Sequence, residues 1–410
     1  MTENNFLKEY NLPDPVCMYK WSWSTIRLYL GTTNSCHRIK SDDLTPETYQ
    51  DFHNTPQKIA DRKLMLDGKW PKTGCQYCEY LEKAGASSDR TELNKDRFLA
   101  PPELEDNPKE THVTPRMVEV YFNNRCNLNC IYCSGEYSTV WEVEEKKFNL
   151  QDPEYFTRLE ETRKQYPAML EAHWKWLEKN AHEIYFYGVL GGEPFFQDEL
   201  EQNIEFFENH PCPKLGFYMF SNLKVDNTKM RSILDRIVKL IKSKHIKNFR
   251  IVCSLDCWGP QQEYIRTGLN LKNWEQNFTT LLHDYPEIDL QIHSTLISLT
   301  MPTLHELCAK VTEWNKVRFV RHSLSFADGR LEMDIGIFPK KYFANDFYKA
   351  IKHTDDKEIK DWITGFYKKV EEQPEDKEKI ESLKIILDQI DIRRGTNWRK
   401  LWPRLDKHEL

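Results

Sequence analysis

The sequence predicts an α/β fold built on a parallel sheet, and three observations predict it. Six runs rich in β-branched and aromatic residues succeed one another: MVEVYFNN (117–124), HEIYFYGV (182–189), KLGFYMFSN (214–222), NFRIVCSLD (248–256), IDLQIHSTLI (288–297) and VRFVRHSLSF (317–326). Amphipathic stretches near 136–180, 198–209, 226–245, 272–284 and 302–315 separate them. The composition, 39% hydrophobic and 30% charged over 410 residues, belongs to a chain with a core to bury. Strand–helix alternation means βαβ units, and their crossovers are right-handed, so the sheet winds one way. Six strands make either an open doubly wound sheet or a partial barrel, and periodicity does not choose between them.

Three regions follow from the pattern. Residues 1–112 are irregular, with short apolar runs such as the one ending at Leu30-Gly31, and close on APPELEDNPKE (100–110), an acidic, proline-containing stretch that reads as a linker. Residues 113–328 hold the alternating strands and helices. Residues 329–410 are charged and helical by pattern (DKEKIESLKIILDQIDIRR, 376–394), carry no cysteine, and read as a helical cap on the sheet domain.

Several classes of protein drop out. No stretch approaches the ~18–20 apolar residues of a membrane span. The N-terminus, MTENNFLKEYNLPD, has neither the basic nor the apolar segment of a secretory signal, and the terminal Lys-His-Glu-Leu reads as chance. A net charge of −6 is not that of a chain built around a nucleic-acid backbone. Eleven cysteines, an odd number with seven in two groups, point to metal ligation in a reducing, cytoplasmic setting rather than to a disulfide framework.

The first group is Cys126, Cys130 and Cys133, spaced C-x3-C-x2-C directly after the first strand, at the edge where parallel sheets bind ligands. A [4Fe–4S] cube takes a ligand on each iron, so three close thiolates leave one iron open. Structural zinc asks for a fourth ligand at fingerlike spacing, and the next histidine downstream is His173.

This triplet, with Tyr132 before its last cysteine, resembles the radical S-adenosylmethionine (SAM) enzymes. The resemblance implies a partial (β/α)6, TIM-like barrel. It implies a [4Fe–4S] cluster on the three cysteines, SAM on the open iron, and reductive cleavage to a 5′-deoxyadenosyl radical that abstracts hydrogen from a substrate. Further matches follow in order. Gly191-Gly192-Glu193-Pro194, after the second strand, is similar to the family's GGEP motif, which receives the SAM ammonium. Paired glycines allow close backbone approach, and a carboxylate favours a cation. The chain has only 15 glycines, where about 29 are usual at this length, so the cluster is informative. Ser221-Asn222 resembles the family's Thr-Asn-Gly, with Leu223 in the glycine's place. Ser254 and Asp256 share one face of the fourth strand and resemble positions near the SAM carboxylate and ribose. Arg266 matches the arginine that pairs with the SAM carboxylate, and Tyr132 is expected against the adenine.

The second group is Cys17, Cys36, Cys75 and Cys78. A glycine before Cys36 (Gly31) suits a turn that joins distant thiolates, and C-x2-C supplies the other pair. The residues alone fit a four-thiolate zinc site and a fully ligated [4Fe–4S] cluster equally. The spacing C-x13-G-x4-C resembles the opening of the SPASM/twitch auxiliary-cluster module. That resemblance implies a second [4Fe–4S] cluster of the single-cluster twitch type, here ahead of the barrel rather than after it.

Of the remaining thiols, Cys212, Cys253 and Cys308 read as structural. Cys257, after the fourth strand at the active edge, is a candidate catalytic hydrogen-atom donor. His293 and His322 read as core or pocket histidines, and Trp174 and Trp176 as packing residues. The expected function is a cytoplasmic radical SAM oxidoreductase or maturase acting on a peptide or protein and fed by a flavodoxin- or ferredoxin-type electron donor. Action on a small molecule is the alternative, and a non-catalytic iron–sulfur or zinc protein is the alternative of another class. No membrane or nucleic-acid partner is expected.

Overall fold

The computed structural model describes residues 6–83, 85, 87–95, 100–327, 330–339, 341–371 and 373–407. Residues 408–410 of the Lys-His-Glu-Leu tail, residues 1–5 and the 328/329 boundary lie outside them. The fold is mixed α/β around a nine-stranded, mostly parallel sheet. Its strands are β1 (Trp23–Arg27), β2 (Thr32–Asn34), β3 (Asp42–Asp43), β4 (Met117–Tyr121), β5 (Phe186–Leu190), β6 (Cys212–Ser221), β7 (Ile246–Ser254), β8 (Ile288–Leu296) and β9 (Val320–Phe326). All six expected strands, β4 to β9, are present. They neighbour one another in chain order without a reversal, whereas a doubly wound sheet reverses.

The N-terminal region is less irregular than its sequence suggests. β1 pairs parallel with β4, Trp23 opposite Met117 through Arg27 opposite Tyr121, and β2 and β3 continue antiparallel at the edge. Periodicity missed β1 because four of its five residues are buried, so no alternation is visible. The supposed linker contains a helical turn, Glu103–Asp106. The stretch 136–180 is two helices, Thr139–Phe148 and Pro153–Asn180. Asn149, at φ +52, follows the first, and Asp152 with Pro153 starts the second.

The chain divides into two compact units: Met1–Asn124 with Glu145–Met219 and Lys239–Phe249, and Arg125–Glu144 with Phe220–Val238 and Arg250–Leu410. In the first, register lines up Ile26, Val120, Val189 and Met219 as one fully buried apolar row. On the same face of β4, Phe122 packs edge-on to His173 and stacks on Trp174 of Pro153–Asn180. The other face carries Thr25, Glu119, Gly188 and Tyr218 in register. The hydroxyls of Thr25 and Tyr218 donate to Glu119 at 2.9 and 2.8 Å, and the Tyr218 ring occupies the space a Cβ on Gly188 would need.

In the second unit, β8 and β9 pair over seven residues, Leu290–Val320 to Leu296–Phe326. One continuous core joins Ile131, Tyr264, Leu304, Phe347, Ile363, Leu383, Leu387 and Trp398. The C-terminal helices Ala344–His353, Lys357–Glu371 and Lys377–Arg394 thus bury their apolar faces in the same core as the cysteine loop. Among the described residues no helix is long and apolar enough to cross a membrane.

Candidate functional site

The loop carrying Cys126, Cys130 and Cys133 is held from outside, carbonyl by carbonyl. Ser138 Oγ donates to the carbonyl of Leu128 at 2.9 Å, Arg394 Nη1 to that of Asn129 at 2.9 Å, and Trp141 Nε1 to that of Cys130 at 2.6 Å. Arg330 Nε reaches the carbonyl of Tyr132 at 3.3 Å, and its Nη2 donates to that of Cys133. The amides of Asn129 and Ile131 donate to the carbonyls of Thr267 and Ile265 at 2.9 and 2.8 Å. Glu144 gathers the support: its carboxylate takes Arg393 Nε at 2.6 Å, Arg394 Nε at 3.0 Å and the side-chain Nδ2 of Asn129. The C-terminal helix is therefore part of the cysteine site, which sequence reading missed. Its arginines stand about 265 positions from the loop, beyond any local pattern.

Two side chains point donors at the thiols. Asn222 Nδ2 lies 3.9 Å from Cys126 Sγ, and Arg266 Nη1 lies 4.0 Å from Cys130 Sγ. Burial pushes the Cys130 thiol well up, opposed by Arg266. It pushes the Cys133 thiol up to about 12, opposed by the Ser134 backbone, Arg330 and Arg266. Buried thiols at neutral pH are protonated unless a metal takes the charge, so metal binding here releases protons. Three soft donors, with N–H groups of Asn222 and the cationic Arg266 directed at two of their sulfurs, suit an anionic iron–sulfur cluster. Among the described residues no three His, Cys, Asp or Glu side chains converge as tightly as one ion needs. A cube differs, because each thiolate binds its own iron.

Asp256 and Arg266 meet each other instead of standing open. Arg266 Nε and Nη2 grip Asp256 at 2.8 and 2.9 Å, Tyr132 OH donates to it at 2.8 Å, and the Thr295 amide donates at 2.9 Å. A carboxylate has about four acceptor sites, and all four are filled. Asp256, expected near the SAM carboxylate and ribose, is here the anchor of Arg266 and Tyr132. Burial opposes the Arg266 charge, but Asp256, Tyr132 and Cys130 hold its pKa above the ordinary value. Burial also raises the Tyr132 hydroxyl, so it stays a donor. The Tyr132 ring lies 5.6 Å from the guanidinium. Ser254, beside this group on β7, is half-buried.

Leu223, where the resemblance expects glycine, adopts φ +54, the left-handed conformation glycine takes freely. Its amide donates to Ser221 Oγ at 3.0 Å, and Asn222 Oδ1 accepts from Lys224 N at 2.8 Å. The turn is preserved although the residue is not, at a cost of roughly 1–2 kcal/mol for a non-glycine side chain.

The GGEP segment lies in the first unit. Gly191 and Gly192 have φ +85 and +51. A Cβ on Gly191 would come within 2.9 Å of the Tyr121 ring and 3.0 Å of the Asn123 carbonyl. Gln197 Nε2 ties the Gly191 carbonyl at 2.6 Å. Glu193 is fully buried, its carboxylate accepting from the Phe195 amide at 3.2 Å, and Pro194 opens the turn that follows.

Cys17, Cys36, Cys75 and Cys78 also fall in the first unit. Cys17 is the N-cap of Met18–Ser22, and Cys78 lies within Gln76–Lys83. Asn94 secures the first by accepting from Met18 N and donating to the carbonyl of Val16, both at 2.9 Å. Gly74, at φ +129, presses on the backbone of Arg38 and Ile39, where a Cβ would collide, and this brings Cys75 towards Cys36. Burial raises all three thiols affected: Cys17 far up, Cys36 up, and Cys75 up to about 11. Cys36 and Cys75 act on Cys17, Cys78 on Cys36, and Cys36 on Cys75. The four are electrostatic neighbours, and Lys20, paired with Asp61, offsets part of the charge on Cys36 and Cys75.

Cys257, expected as a hydrogen-atom donor, lies among apolar residues. It is fully buried in the apolar core with Leu304 and Cys308, and burial pushes its thiol far up. Cys212, Cys253 and Cys308 are buried as expected. His293 is held between Ser323 Oγ and Ser325 Oγ at 2.9 and 3.0 Å, and His322 meets Ser294 Oγ at 2.9 Å. Trp176 packs edge-on to Phe52, and Trp174 stacks on Phe122 and Phe206, as packing residues do.

No protein-family model and no curated protein matches the chain. Among solved structures it is similar to SuiB of Streptococcus suis bound to S-adenosylmethionine, with TM-score 0.40, 14% identity, and coverage of 87% of this chain and 70% of that one. A second SuiB structure gives 0.39, 13%, 87% and 69%. Likeness at this level is too weak to establish a family.

Proposed function

We propose that the protein is a radical SAM enzyme, with a [4Fe–4S] cluster on Cys126, Cys130 and Cys133, that abstracts hydrogen from a peptide or protein. The observation that carries the reading is the cysteine loop itself: three thiols and no fourth within eight residues, with Asn222 and Arg266 N–H groups directed at two of the sulfurs. The cluster with bound SAM supplies one chemistry, one-electron cleavage of the sulfonium to a 5′-deoxyadenosyl radical. The chain's residues do the rest. Asp256 fixes the guanidinium of Arg266, leaving its Nη1 edge for an anionic group such as the SAM carboxylate. The Gly191-Gly192 turn admits close backbone approach, and the fully buried Glu193 supplies a carboxylate for an ammonium. Ser254 is the hydroxyl left to bind polar groups of SAM once Asp256 is engaged.

The partial barrel belongs to this reading, supported by the unreversed order of β4 to β9. So do three domains at 1–112, 113–328 and 329–410, and a second [4Fe–4S] cluster on Cys17, Cys36, Cys75 and Cys78. A cytoplasmic setting with a flavodoxin- or ferredoxin-type donor completes it, since oxygen would destroy both clusters. The test is anaerobic incubation of the iron-loaded protein with dithionite and SAM. Release of 5′-deoxyadenosine is expected; intact SAM in the presence of a fully loaded, reduced cluster overturns the proposal.

A further inference from the structure

Two cations act on the buried thiols of the cysteine loop, and they are not equivalent. Arg266 is bound bidentate to Asp256, so at a distance the pair is close to neutral. Arg330 comes from the chain just after β9, about 200 positions from the cysteines. Its guanidinium bonds the carbonyls of Tyr132 and Cys133 and, among the described residues, no carboxylate. The bond to the Cys133 carbonyl sets its charge at the backbone of that ligand. The residue thus joins two functions in one side chain: it grips the backbone on both sides of the Tyr132–Cys133 peptide, and it brings beside a thiolate ligand a positive charge that meets no carboxylate among the described residues.

We propose that Arg330 is a positioning residue that sets the reduction potential of the cluster held by Cys126, Cys130 and Cys133. Reduction adds one electron, taken from an external one-electron donor, and makes the cluster one unit more negative. A nearby uncompensated cation stabilises that product more than the oxidised form, so it raises the potential; net charge and hydrogen bonding are the protein's levers on iron–sulfur potentials. The inference rests on the thiols being cluster ligands, and it concerns only how easily that cluster is reduced.

The experiment is a dithionite titration of the anaerobic holoprotein followed by electron paramagnetic resonance, comparing wild type, Arg330→Gln and Arg330→Lys. To isolate this cluster, all three are made on a background in which Cys17, Cys36, Cys75 and Cys78 are alanine. Arg330→Gln is expected to make reduction about tenfold less favourable, a shift of ~59 mV to more negative potential for one electron. Lysine keeps the charge but lacks the guanidinium's fixed planar fork, so Arg330→Lys is expected to stay within about threefold of wild type. A fully loaded Arg330→Gln protein with unmoved potential overturns the inference, and so does an equal shift in both variants, which would make loop geometry the cause. If the glutamine variant holds no iron, the lysine variant decides: within threefold supports, beyond tenfold overturns. A wild-type protein without iron sinks the proposed function itself, and is read from metal analysis before any titration.

Discussion

The two cysteine groups solve the same problem in opposite ways. The triplet is local: Cys126, Cys130 and Cys133 sit on one loop, and the fold's task is to hold that loop's carbonyls, with Trp141 from nearby and with Arg330 and Arg394 from far along the chain. The quartet is scattered over Cys17 to Cys78, and there the fold's task is to bring the thiols together, through a helix cap, the Gly74 contact and the Asn94 bracket. A local set is strongly specified by sequence and weakly by packing; a scattered set is the reverse. The first should therefore be lost by changing ligands, and the second by disturbing the scaffold.

The largest effect expected is on the triplet. Replacing Cys126, Cys130 and Cys133 with alanine should cut iron from about eight atoms per chain to about four and abolish 5′-deoxyadenosine release. Iron unchanged by the replacement would mean these thiols hold none. The matching change in the quartet should also remove about four irons but leave release within about fivefold of wild type. Zinc lost in place of iron would assign that site to zinc.

Next in size is the anchor of Arg266. Asp256→Ala leaves a buried guanidinium without its carboxylate, and denaturant unfolding of the metal-free protein should show a loss of about 3–5 kcal/mol. A loss under 1 kcal/mol would mean that Arg266 finds another partner.

Two glycines sharpen the comparison. Gly74→Ala should lower metal in the quartet by more than half while leaving the triplet loaded, because its Cβ meets the Arg38 carbonyl. Gly191→Ala, with φ +85 and Cβ contacts of 2.9 and 3.0 Å, should leave both metals in place and weaken SAM binding about tenfold by equilibrium dialysis.

The smallest effect is on pH. In the metal-free, reduced protein burial pushes the Cys75 and Cys133 thiols up to about 11 and about 12, against about 8.5 in the unfolded chain. Above pH ~8.5 the unfolded state sheds protons that the folded state keeps, so stability falls as pH rises towards 11–12. Metal-loaded protein, its thiolates already formed, should lack this slope. Thermal melts of both forms across pH 8–10 check it.

Much of this was legible in the sequence, for physical reasons. β4 to β9 show as β-branched runs between amphipathic helices, and the triplet and Gly191-Gly192 stand out because their spacing is local. β1 escaped notice because a strand buried on both faces does not alternate. The Asp256–Arg266 pair was visible as two residues but not as a pair: no local pattern shows that Arg266 grips Asp256 through two N–H groups. Leu223 looked like a broken motif, yet its backbone keeps the glycine conformation. Arg330, Arg394 and Glu144 gave no sequence signal, since their roles depend on contacts across 197 to 265 positions.

The most direct test of the account is electron paramagnetic resonance of the anaerobic, dithionite-reduced protein lacking the four N-terminal cysteines, recorded with and without SAM. The account predicts a reduced [4Fe–4S] signal whose g values shift when SAM binds the open iron. A signal indifferent to SAM, or zinc in place of iron on Cys126, Cys130 and Cys133, would contradict it.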